Sequence, residues 1–165
     1  MTEVNFTAKR VSSVYEVLVN LGRYTPSLKW DTGAKYTVIS ARALDKNLSD
    51  AALERMKSYC EENQKHKERF ISASGDPIYG YLSHVENVVM DESVLSDFHY
   101  YLVLENKRDI ALLGFDFIDK CKRKADAYGD IIITEFDDEG YSSADSALEN
   151  DELISLIDSL SEELK

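Results

Sequence analysis

At 165 residues and 44% hydrophobic, the chain is sized for one ordinary domain that can bury a core without metal or disulfide staples, and is too short for two large lobes. A net charge of −12 argues against nucleic acid and anionic membrane as partners, but the charge is uneven: residues 1–129 carry 19 acids against 18 Lys and Arg, while 130–165 carry 12 acids against one Lys. The body is nearly neutral and the tail acidic. Cys60 and Cys121 fall in stretches that read as helical, with no Cys-x-x-Cys and no Cys/His cluster, so a structural zinc is not expected and a disulfide stays open. No apolar run nears the roughly 20 residues that span a bilayer. With no leader-like segment and few cysteines, a soluble protein of the reducing cytoplasm is expected.

In chain order, "VYEVLVN" from Val14 to Asn20 is β-branched and aromatic, and "LGRYTP" supplies a turn after it. "SLKWDTG" reads as the return strand, followed by the short β-rich "KYTVIS" and a helical turn capped by Ser40. Ser49-Asp50 opens a better helix, "SDAALERMKSYCEENQ", with Ala52, Leu53, Met56, Tyr59 and Cys60 at helical spacing. "RFISAS" and "IYGYLSHVENVVM" flank "GDP" as a hairpin. "FHYYLVLE" is a further strand, "IALLGFDFIDKC" passes from a strand through Gly114 into a short helix, and "IIIT" closes a last strand. The domain is thus expected over 1–135, an acidic linker with Ser and Gly over 136–150, and an amphipathic helix over 151–165 whose stripe is Leu153, Leu156, Ile157, Leu160 and Leu164. That stripe can dock back as a cap or pair with a partner helix.

Asp31-Thr32-Gly33 is the motif with chemistry in it. Alone it reads first as an Asx turn after a strand. A phosphoryl-transfer Asp would want alternating strands and helices with magnesium-binding acids, whereas this chain is mostly strands. His66, His84 and His99 lie far apart without an obvious nucleophile and read as ordinary surface or satisfied residues.

Three pieces in order, "WDTGAKYTVIS", "ISASGDPIYGYL" and "ALLGFDFIDKC", resemble the catalytic loop, flap hairpin and Gly-x-Asp helix segment of the retropepsin-like aspartic proteases, over roughly residues 11–134. The resemblance implies a closed, mostly-β barrel with a few helices. It implies an endopeptidase in which two carboxylates, one ionised and one protonated, activate a water, without metal or cofactor. With a single Asp-Thr-Gly per chain it also implies a homodimer in which Asp31 meets its symmetry mate. Asp31, Thr32 and Gly33 would form the catalytic triplet, with Gly33 allowing close approach and Thr32 bonding across the dimer axis. Ala34 and the flap residues Ser74, Gly75, Asp76, Pro77 and Ile78 would contact a peptide substrate. Ala34 stands where pepsin-like enzymes often carry a Ser that favours the charged carboxylate, so activity is expected at mildly rather than strongly acidic pH. Lys35 and Phe115 replace the acid and Arg that pair in viral relatives, and Asp76 and Pro77 depart from Gly-rich viral flap tips. Gly114 and Asp116 are expected to be structural. The rival reading is a catalytically silent module that retains the fold for dimerisation or peptide binding.

Overall fold

The computed structural model describes residues 2–63, 66–71, 75–105, 109–137 and 147–163. The strands are β1 (Thr2–Val11), β2 (Val14–Leu18), β3 (Ser27–Trp30), β4 (Val38–Ser40), β5 (Lys67–Ile71), β6 (Pro77–Met90), β7 (Ser93–Val103), β8 (Ala111–Leu113), β9 (Cys121–Ala125), β10 (Ile131–Phe136) and β11 (Leu148–Glu149). The helices are α1 (Ala41–Leu44), α2 (Asp50–Asn63), α3 (Phe115–Ile118) and α4 (Asn150–Glu163). The eleven strands make one sheet in the order β11-β6-β7-β4-β8-β3-β2-β1-β10-β9, with β5 added beside β6.

The mostly-β class stands, but the closed barrel is corrected to an open sheet, since no pairing among the described residues joins its ends. The outer strands suit open edges: β9 exposes Lys122, Arg123 and Lys124, and β11 is only two residues long. A charged or very short edge offers a poor template for further strand pairing. Two further corrections fall near these edges. Cys121 begins β9 rather than lying in a helix, because α3 ends at Ile118. The sheet also contains β1, which was not expected although Val4, Phe6 and Ala8 alternate with polar residues; they point inward along it while it pairs with both β2 and β10.

The expected caps are present. Ser40 Oγ accepts the Ala43 amide at 3.2 Å to start α1, and Ser49 Oγ accepts that of Ala52 at 3.1 Å to start α2. On α2 the buried face is Ala52, Leu53, Met56 and Cys60, and burial pushes the Cys60 thiol up to about 12. Both cysteines are free.

The C-terminal stripe packs onto its own domain. Leu153, Ile157 and Leu160 are buried in the main core, and each such side chain contributes about 1.5–3 kcal/mol on leaving water, against a typical net stability of about 5–15 kcal/mol. Polar contacts fix the register. Asn150, itself buried, accepts from the Tyr100 hydroxyl at 2.7 Å and donates to the Leu21 carbonyl at 2.9 Å, while Tyr24 donates to Asp158 at 3.0 Å. Most of the expected linker, 138–146, and Leu164 lie outside the described residues.

At the start of this tail, β11 pairs in parallel with β6, placing Glu149 opposite His84. The buried His84 ring lies between two carboxylates, with Nε2 2.9 Å from Asp97 and Nδ1 3.2 Å from Glu149. Burial alone would lower its pKa, but hydrogen bonds and charge from Asp97 and Glu149 outweigh that, and the net direction is upward. The adjacent His99 ring, 5.1 Å away between centroids, is pushed down by burial and then by the His84 charge, against the pull of Asp97 and Glu149. Sequence distance had set these two histidines apart; the β6–β7 register pairs them directly.

The linkage has a sign for each ring. The raised pKa of His84 adds stability that is full below the unfolded value of about 6.5 and is lost as pH rises through the folded value. The lowered pKa of His99 adds stability that is full above about 6.5 and is lost as pH falls through its folded value. The pair therefore contributes most near about pH 6.5. Urea midpoints from about pH 5 to 9 should show His84→Gln flattening the alkaline limb and His99→Gln the acidic limb. Parallel curves for wild type and both variants would contradict this.

Candidate active site

Three strand ends build the site. In the sheet β8 lies between β3, to which it is parallel, and β4, to which it is antiparallel. The chain leaving β3 must therefore cross the end of β8 to reach β4, and residues 31–37 make that crossing. Along β3, Leu28 and Trp30 point inward while Ser27 and Lys29 face solvent. Asp31 follows at the strand end, its amide bonded to the Leu113 carbonyl at 3.0 Å.

The Asp31 side chain then shapes the loop. Its Oδ1 accepts the Gly33 amide at 3.0 Å, and its carbonyl accepts the Ala34 amide at 3.2 Å. This is an Asx turn. The turn and catalytic readings are thus compatible, because the same hydrogen bond that folds the loop fixes the carboxylate. Among the described residues the carboxylate takes no other side-chain hydrogen bond. Thr32 and Gly33 are exposed, so this end of the loop presents an open face.

Beneath the loop, Gly114 and Asp116 hold it down. The Phe115 amide donates to the Ala34 carbonyl at 2.7 Å and the Asp116 amide to the Lys35 carbonyl at 3.2 Å. Thr37, fully buried, donates its hydroxyl to Asp116 Oδ1 at 2.8 Å and accepts the Gly114 amide at 3.1 Å. Asp116 also accepts the Thr37 amide at 3.2 Å. Burial raises the Asp116 pKa, and the Thr37 donors only partly offset it. As expected, both residues are structural: they fasten the loop and do not face the open side.

Opposite the loop stands the β5–β6 hairpin. Phe70 and Ile78 are cross-strand partners, so their side chains share one face, and they close a cavity of about 340 Å³ against Gly33, Ala34 and Tyr36. Tyr36, Phe70 and Tyr101 meet edge to face, with centroids 5.1–5.8 Å apart. Gly80 permits this, since a Cβ there would come within 2.8 Å of both Phe70 and Tyr101. A larger groove, about 830 Å³, runs between α2 and the other side of the hairpin, away from Asp31.

The structure therefore gathers Gly33, Ala34 and Ile78 at one cavity, with Asp31 bonded to Gly33. It does not gather Asp76, which lines the larger groove, and Gly75 and Pro77 sit exposed at the tip. Ser74 lies outside the described residues. Missed by sequence reasoning were Tyr36, Phe70 and Ile110 as cavity walls; the pairing of Phe70 with Ile78 across the turn was the available signal. Among the described residues lining the cavity none is acidic, no three His, Cys, Asp or Glu residues gather to hold a metal ion, and no helix is long and apolar enough to cross a membrane.

The mostly-β sheet carries its Asp-Thr-Gly loop across the end of β8, opposite the β5–β6 hairpin. A crystal structure of a retropepsin-like aspartic protease from Rickettsia conorii superposes with a TM-score of 0.50 at 15% identity, covering 80% of this chain and 98% of that one. At that identity the similarity is one of fold. No protein-family model and no curated protein matches the chain.

Proposed function

We propose that the chain is one half of an aspartic endopeptidase, completed when a second copy brings its own Asp31 to face the first. The observation that carries this is the Asp31 loop: a carboxylate oriented by the Gly33 amide, at the open end of a loop whose next residues wall an apolar cavity under a hairpin. A peptide would lie extended between hairpin and loop. One carboxylate, ionised, takes a proton from water, and the other, protonated, polarises the scissile carbonyl. Two such groups in contact share a proton and titrate as a pair.

Peptide-library cleavage read by mass spectrometry tests this, with activity followed against protein concentration. A site assembled from two chains gives specific activity that rises with concentration until dimerisation saturates. No cleavage by a folded dimer would favour the silent peptide-binding module, to which the exposed Pro77 tip and the Lys35/Phe115 replacement point.

A further inference from the structure

We infer that Lys35 selects substrates carrying an acidic side chain next to a bulky apolar one. The inference rests on the proposed cleft and names the class of peptide it takes. The cavity, about 340 Å³, lies near the lower end of the about 300–1,000 Å³ usual for ligand sites and has room for a side chain of an extended peptide. Its walls include Val38, Phe70, Ile78 and Ile110, which favour an aliphatic or aromatic occupant.

Lys35 is the charged residue among the described ones that line this cavity. Its ammonium stands over the Tyr36 ring, 5.1 Å from the centroid, and Tyr36 is itself a cavity wall. That cation–π contact keeps the charge at the rim instead of leaving it to swing through solvent. Its backbone is also fixed, because the Lys35 carbonyl accepts the Asp116 amide at 3.2 Å. A peptide that seats an apolar side chain therefore passes its neighbouring residue beside a held positive charge. A carboxylate there gains attraction, and a Lys or Arg meets repulsion.

The side chain of Lys35 is exposed, so the selectivity is modest and salt-sensitive. The test uses the full chain with Asp31→Asn, so that cleavage does not deplete the probe. Fluorescence anisotropy is read for labelled extended peptides that differ only in Glu, Gln or Lys beside a Phe. The Glu peptide should bind about two- to fivefold tighter than the Gln peptide at low salt, with the Lys peptide weakest. Lys35→Gln should bring the Glu/Gln ratio to about one and Lys35→Glu should invert the order. Equal affinities, no binding by any peptide, or a ratio insensitive to Lys35 would overturn the inference. The same peptides given to the wild-type chain separate this from the activity itself. Cleavage without a Glu preference removes the role of Lys35 and leaves the endopeptidase; a Glu preference in binding without cleavage does the reverse.

Discussion

Asp31→Asn is expected to reduce peptide cleavage by about 10²–10⁴-fold, the range general acid–base groups commonly contribute, while leaving stability within about 0.5 kcal/mol of wild type. The two halves of this expectation come from the same bond. An Asn side chain keeps an Oδ1 that can accept the Gly33 amide, now at 3.0 Å, so the turn survives the substitution. What it loses is the ability to hold and release a proton. A residue whose whole purpose was the turn would show no functional loss in this variant, and wild-type rates from Asp31→Asn would reduce the loop to that role. Asp31→Ala is a less informative variant because it removes turn and carboxylate together. Gly33→Ala offers a companion measurement: an added Cβ would meet Asp31 Oδ1 at 3.3 Å, so the carboxylate must give by a few tenths of an ångström. A loss of activity with stability kept would show that the position of this carboxylate, or the space over the exposed face, matters to the reaction.

Gly114→Ala should be far more damaging to the fold, costing about 3 kcal/mol or more from overpacking together with a broken buried hydrogen bond. A Cβ at this position would lie 2.3 Å from the Tyr36 carbonyl carbon and oxygen and 2.8 Å from the Thr37 nitrogen. These are backbone atoms and cannot rotate aside. The loop would have to lift off β8, stretching the Gly114 bond to Thr37 and the Phe115 bond to Ala34. Thermal or urea unfolding reads the effect directly, and a variant as stable as wild type would show that the crossing is looser than the geometry indicates. The conformation of Gly114 is not the reason for glycine here, since its φ of −92° is open to any residue. The requirement is space beneath a crossing strand connection.

Much of the frame was legible because its signals are local. Ser40 and Ser49 announce their helices by capping them, and Gly75, at φ +87°, marks the hairpin turn with a backbone that other residues rarely adopt. The Asp31 loop was legible for the same reason, since its side chain bonds two residues ahead. Less legible were features that depend on distant partners. β1 is an exception, since Val4, Phe6 and Ala8 alternate with the polar Asn5, Thr7 and Lys9 at the two-residue period of a half-buried strand, a local signal. Basic residues dominate β9, and its pairing with β10, not its composition, makes it a strand. The open sheet and the walls of the cavity likewise follow from which strands pair, which no short window encodes. The docking of α4 was one of two alternatives on the sequence, and the choice rests on what Leu153, Ile157 and Leu160 find to cover.

That docking also bears on the order in which the molecule can be made. Asn150 bonds to a carbonyl 129 positions earlier in the chain, and Tyr24 to an acid 134 positions later. β1, the first strand, pairs with β10, and the surface formed by the early segments stays uncovered until α4 has been synthesised. Residues join a nascent chain at about 5–20 per second, so the early strands spend seconds without their final neighbours. Contacts this distant in sequence slow folding, because loop closure must precede the reward of packing. Completion of the core therefore waits for α4, and until then the nascent body up to about β10 is the species most in need of protection from self-association.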